Sequence, residues 1–106
     1  MDDQEYLKLA DGCLERIAAW LEDFDPDEVD FSTTDGVVTL EFPDGMRFVL
    51  NRQAGAHQMW FAAGARAWHF DWHAVHDSWC DDRDGHPLFE RVASVVSDKI
   101  GRTVSL

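Results

Sequence analysis

Gly36-Val37-Val38-Thr39-Leu40-Glu41-Phe42-Pro43-Asp44-Gly45-Met46-Arg47-Phe48-Val49-Leu50-Asn51 is the stretch whose reading decides the fold. Val38, Leu40 and Phe42 alternate with Val37, Thr39 and Glu41, and Met46, Phe48 and Leu50 alternate with Arg47, Val49 and Asn51. Successive side chains of a strand point to opposite faces, so each half reads as a strand with one buried face. Pro43-Asp44-Gly45 between the halves is a turn, and Asp35-Gly36 is a second one that joins an earlier strand starting near Val29. Three consecutive antiparallel strands are the expectation.

Working outward, the period changes on both sides. From Asp3 to about Phe24 the apolar residues Tyr6, Leu9, Cys13, Ile17, Trp20 and Phe24 recur at spacings of three and four, joined by Ala10, Leu14 and Leu21. This is the pattern of an amphipathic helix. Asp2 with Glu5 three residues on marks its start, and Pro26 its end. Past Asn51, strands are expected at Gln58 to Ala62, Ala67 to Asp71 and Ser78 to Asp81, with turns at Gly64 and Asp84-Gly85. Leu88, Val92, Val95, Val96 and Ile100 return to helical spacing before Gly101. One helix, five or six antiparallel strands and a second helix predict an α+β two-layer sandwich with both helices on one face of the sheet. There are no repeats or linkers, and 106 residues fit one domain.

Composition removes several function classes. A net charge of −12 argues against nucleic acid, whose phosphates are bound through Lys and Arg. No apolar run approaches the roughly 18 residues that span a bilayer, and the acidic start Asp2-Asp3-Gln4-Glu5 is unlike a basic targeting peptide, so a cytoplasmic chain without a membrane partner is expected. Cys13 and Cys80 have neither disulfide nor zinc spacing and are expected to be reduced and buried. There is no GxSxG, no phosphate-cradling glycine loop, no HExxH and no dinucleotide fingerprint, which favours a binding protein over an enzyme.

The charge is concentrated. Residues 1 to 30 hold eleven acids against Lys8 and Arg16, −9 of the −12. Asp2, Asp3 and Glu5 have a structural reason, because carboxylates favour a helix N-terminus. Glu22, Asp23 and Asp25 sit at the other end, where the helix dipole opposes them and neighbouring like charges repel, and Asp27, Glu28 and Asp30 carry the charge into the first strand. Such carboxylates can hold hard cations such as Fe2+, Fe3+, Mn2+ or Ca2+ weakly at the surface, or they can steer a basic protein partner. Two further groups stand out. Arg47, Val49, Asn51, Gln58, Trp60, His69 and Asp71 should share the sheet face away from the helices, where an outward Trp among amides is a common protein-contact anchor. His69, His73 and His76 with Cys80 have spacings that suit a metal only on a helix, and a hairpin should scatter them.

The pieces Gly36 to Phe42, Asp44-Gly45, Val49-Leu50-Asn51-Arg52-Gln53, His57-Gln58-Met59-Trp60 and His69-Phe70-Asp71, in this order and spacing, closely resemble the bacterial members of the frataxin family. Leu9-Ala10-Asp11, Trp79 with Asp82-Arg83 and Gly85, and Thr103-Val104-Ser105 extend the resemblance over essentially the whole chain. The resemblance implies a helix-sheet-helix sandwich and a role in iron–sulfur cluster assembly, as iron donor or as regulator of the cysteine desulfurase. It implies weak, surface-bound iron and contacts with the desulfurase and the scaffold protein, by a monomer that can oligomerise with iron. Carried over by position, the metal and desulfurase ridge falls on Asp3, Asp11, Glu22, Asp23, Asp25, Asp27, Glu28 and Asp30, and the sheet contact surface on Asn51, Gln53 and Trp60. A protein-interaction module with incidental metal binding is the alternative. The chain departs from the family at Ala18-Ala19, where relatives often carry acids, and near Gly55, where a proline is usual.

Overall fold

The computed structural model describes every residue from Met1 to Leu106. The order is α1 (Asp3–Leu21), β1 (Asp30–Thr34), β2 (Val37–Glu41), β3 (Arg47–Gln53), a 3-10 turn at Ala54–Ala56, β4 (Gln58–Ala63), β5 (Arg66–His73), β6 (Ser78–Asp81) and α2 (Leu88–Ile100). All six strands form one sheet in sequence order, each antiparallel to the next. Both helices cover one face, as expected. Tyr6, Ala10, Ile17 and Leu21 of α1 and Leu88, Val92 and Val96 of α2 meet Leu40, Leu50, Met59, Phe61 and Phe70 of the sheet in a single core. Ile17 is fully buried there, and its truncation to Ala would cost about 2–5 kcal/mol. No helix is long and apolar enough to cross a membrane.

The local signals act as chemistry says they should. The Asp2 carboxylate accepts the Glu5 backbone N–H at 2.7 Å, a cap that contributes about 1 kcal/mol to α1. Gly36 holds φ +78 in the β1–β2 turn, and a side chain there would press within 3.0 Å of the Arg52 guanidinium. That turn fixes the register of β1 on β2 from Thr34 opposite Val37 to Asp30 opposite Glu41.

Two expectations need correction. The first helix ends at Leu21, not Phe24. Pro26 disfavours helical backbone at Asp25, so the chain tightens early, with Asp23 and Phe24 donating to Trp20 and Leu21 three residues back. Phe24 instead folds edge-on against Trp20, ring centroids 4.8 Å apart. Met46, expected to point inward with Phe48 and Leu50, lies before β3 and is 41% exposed. The turn consumes it: its N–H donates to the Asp44 carboxylate and its carbonyl accepts from Phe42.

The last residues pack back on the helices. Ser97 Oγ accepts the Val104 N–H at 2.9 Å, and the Trp20 indole N–H donates to the Ser105 carbonyl at 2.8 Å. The segment after α2 is thereby brought beside the end of α1.

Candidate functional site

The expected ridge separates into three places. Asp3 stands in the first turn of α1 and meets His57 Nε2 at 2.7 Å. Asp11, midway along, accepts from Arg52 Nη1 at 2.6 Å. Glu22, Asp23, Asp25, Asp27, Glu28 and Asp30 surround the end of α1 and the start of β1. Asp3 and Glu22 lie about 28 Å apart along the helix axis, at 1.5 Å per residue, too far to act on one ion.

Partners divide these acids further. Arg52 forks between Asp11 and Asp35, the second contact at 2.9 Å, and so ties α1 to the β1–β2 turn. Both carboxylates raise the Arg52 pKa, Asp35 most. Glu28, expected on the metal and desulfurase ridge, takes two hydrogen bonds from Arg102, at 2.9 Å from Nε and 2.7 Å from Nη2. The guanidinium holds the Glu28 carboxyl below its usual range. Sequence spacing did not reveal this pair, because Arg102 arrives from the far end of the chain.

What remains is uncompensated. Glu22 caps α1 through its backbone alone, and the last turn of the helix carries no base. Glu22, Asp23, Asp25, Asp27 and Asp30 are exposed and none of them meets a Lys, Arg or His within ion-pair distance. Two are oriented by backbone. Asp25 Oδ1 accepts the Asp27 N–H and Asp30 Oδ1 accepts the Phe31 N–H, each at 2.9 Å. Glu41, which the sequence reading passed over, adjoins them, directly opposite Asp30 in the β1–β2 ladder and opposite Arg47 on β3. The signal was available: a two-residue turn at Asp35-Gly36 fixes that register. Arg47 reaches Glu41 only at 3.9 Å.

Nowhere in the molecule do three His, Cys, Asp or Glu side chains come together as a ligand set. The carboxylates near Glu22 and Asp30 fit a cation that keeps most of its water and takes one or two protein oxygens, not a closed cage. A site of that kind selects poorly among hard cations.

On the open sheet face Asn51, Trp60 and His69 stand side by side in register on β3, β4 and β5. The Trp60 and His69 rings stack with centroids 4.3 Å apart and planes 19° from parallel. Gln58 Oε1 accepts the Trp60 indole N–H at 2.9 Å, and Gln58 Nε2 donates to Asp71 at 3.0 Å. Trp60 is therefore held in place and half-buried, with one ring face against His69. Gln53 pairs with Gln58 at the end of this row. His73 and His76 do come close, ring centroids 4.5 Å apart, but His69 is engaged with Trp60, and Cys80 is buried beside Ser78.

Comparison with known proteins places this geometry in a family. Residues 1–102 match the model of the frataxin-like domain. The chain is 36% identical over 107 residues to the iron-sulfur cluster assembly protein CyaY of Thioalkalivibrio sulfidiphilus (strain HL-EbGR7), covering 100% of both. It is 38% identical to the protein of the same name from Dechloromonas aromatica (strain RCB), covering 100% of this chain and 99% of that one. Among solved structures, frataxin from Psychromonas ingrahamii superposes with a TM-score of 0.88 at 28% identity, over 99% of this chain and 97% of that one. Trimeric frataxin from the yeast Saccharomyces cerevisiae, complexed with ferrous iron, gives 0.76 at 29% identity, over 89% and 87%.

Proposed function

The chain belongs to the frataxin-like family, and from that premise we propose that it serves iron–sulfur cluster assembly in the cytoplasm as an iron-binding protein without catalytic activity of its own. Fe2+ is its cargo, held with most of its hydration water by Glu22, Asp23, Asp25, Asp27 and Asp30. The same carboxylates steer and orient the protein on a basic surface of the cysteine desulfurase, and Asn51, Gln53 and Trp60 make the second contact, with the scaffold or the desulfurase. Iron and partner compete for one set of charges, so iron level can change how the protein acts on the desulfurase.

The observation that carries this reading is that Glu22, Asp23, Asp25, Asp27 and Asp30 have no ion-pair partner, although Arg102 beside them is spent on Glu28 and the chain pairs Asp11 and Asp44 elsewhere. Unpaired carboxylates at a helix C-terminus oppose the dipole and repel one another, a cost of a few tenths of a kcal/mol each. A field maintained at that cost is available to a partner.

The test is cluster assembly on the scaffold with desulfurase, cysteine and Fe2+, across iron concentrations, with and without this protein. An iron-dependent change in rate that disappears with Glu22→Lys plus Asp23→Lys supports the reading, and its sign separates donor from inhibitor. No change at any iron level removes it. The second reading, a pure interaction module, is favoured by the lack of any three-ligand cluster. It gains if the charge reversal abolishes desulfurase binding while iron leaves binding untouched.

A further inference from the structure

A partly enclosed cleft lies away from the free acids. With a volume of about 470 Å³, it opens between α1, the β5–β6 hairpin and the first residues of α2, within the size range of small-molecule sites. Leu9, Cys13, Trp72, Trp79, Leu88 and Phe89 give it an apolar and largely aromatic wall. Burial pushes the Cys13 thiol up to about 12, so that part of the wall stays uncharged.

Its charge is opposite to that of the molecule. Lys8 and Arg16, the only bases among the first thirty residues, both line the cleft. Neither is engaged by a carboxylate, although the chain carries 21 acids. Asp77 is the single acid in the wall, so the lining is net cationic. α2 also begins here, on Pro87, with no side chain capping its N-terminus. The positive end of its dipole adds to the two cations.

Two details of the wall bear on how an occupant would be detected and blocked. The Trp79 ring is 4% exposed and its indole N–H is buried without a partner, whereas the indole N–H groups of Trp20 and Trp60 are both satisfied. With less than 1 Å² of its own surface accessible, that N–H lies behind the wall, so its signal reports on the cleft without being a contact of the occupant. Gly12, in the interior of α1, weakens the helix with no local reason for it: its backbone is ordinary, and a side chain added there would touch nothing within 4 Å. What the missing side chain leaves is open space in the cleft wall.

We propose that this cleft binds a small aromatic anion, its ring against the partly exposed Leu9, Trp72 and Phe89 and its carboxylate or phosphate head between Lys8 and Arg16. The assignment is independent of iron and of the desulfurase.

The probe is 2-naphthoate, with 2-naphthalenemethanol as its neutral counterpart, titrated into the full chain while backbone amides and indole N–H signals are followed. Naphthoate should shift the Trp79 indole N–H and the amides of Leu9, Gly12 and Cys13 saturably. The alcohol should bind roughly threefold to tenfold more weakly, the difference one exposed charge contact makes. Gly12→Leu fills the wall with a better helix former, so it should abolish binding while the rest of the spectrum stays folded. Lys8→Glu with Arg16→Glu should weaken naphthoate about tenfold and spare the alcohol. Absence of a saturable shift at millimolar naphthoate overturns the proposal, as does equal affinity for acid and alcohol, or unchanged affinity in Gly12→Leu.

Discussion

Asp11 and Asp23 belong to the same acidic segment, yet they stand in opposite physical situations. Asp11 is 2.6 Å from Arg52 and helps to fasten α1 to the sheet, whereas Asp23 follows the last turn of the helix and forms no ion pair. The same contrast separates Glu28, clasped by Arg102, from its neighbours Asp27 and Asp30. The difference teaches that acidity by itself marks nothing. Carboxylates with a partner hold the fold together, and those without one project a field that another molecule can use.

The contrast breaks most visibly at Arg52. Replacing it with Ala removes both arms of the fork and leaves Asp11 and Asp35 unpaired. Because the side chain is only 21% exposed but Asp35 is open to solvent, a loss of about 1–2 kcal/mol is expected, read as a lower urea midpoint with unchanged slope. Asp23→Asn should not destabilise at all. If both variants lost stability equally, the division into structural and free acids would fail.

A comparable effect should appear in binding. Reversing Glu22 and Asp23 to Lys should weaken desulfurase association at least about tenfold, mostly through the association rate at low salt, while Asp11→Asn changes it little. Surface plasmon resonance at two salt concentrations separates the two variants.

Acid pH sharpens the comparison from another side. Arg102 lowers the pKa of Glu28, Lys99 that of Asp44, and, for Asp84, the His86 backbone N–H contributes most, with Arg91 adding to it. A carboxyl whose pKa is depressed by folding contributes stability above its unfolded value, and loses it as pH falls through the folded one. Stability should therefore decline once pH drops below about 4.3 for the glutamate and about 3.9 for the two aspartates. Arg102→Gln should make that decline shallower, checked by urea midpoints across the acid range.

The smallest effect concerns salt. With a net charge of −12 and free acids gathered at one end, added NaCl should raise the midpoint slightly by screening repulsion. Glu22→Gln with Asp23→Asn should start from a midpoint a little higher and gain less, by a few tenths of a kcal/mol.

The sheet was legible because its information is local. Alternation from Val37 to Asn51 and the turn at Pro43-Asp44-Gly45 fix strands and register without reference to the rest of the chain, and the frataxin-like pattern lies on those same residues. The two misjudged boundaries, at Leu21 and Met46, are places where a proline or a turn hydrogen bond overrode periodicity by a few residues. The candidate site was legible only as composition. Which acids are free depends on Arg52, which meets Asp11 across 41 positions, and on Arg102, which meets Glu28 across 74. Nothing in the spacing of the acids announces either partner. The cleft beside Gly12 was hidden for the same reason, since its walls come from both helices and the last hairpin.

The central claim is that the free acids, and not the paired ones, receive the metal. Its most direct test is titration of the chain with Fe2+ under anaerobic conditions, or with a diamagnetic substitute, while backbone amides are followed by NMR. The account expects progressive changes at Glu22, Asp23, Asp25, Asp27 and Asp30, with Asp3 and Asp11 unaffected. Changes centred on Asp3 and Asp11, or confined to His69 through Cys80, would contradict it.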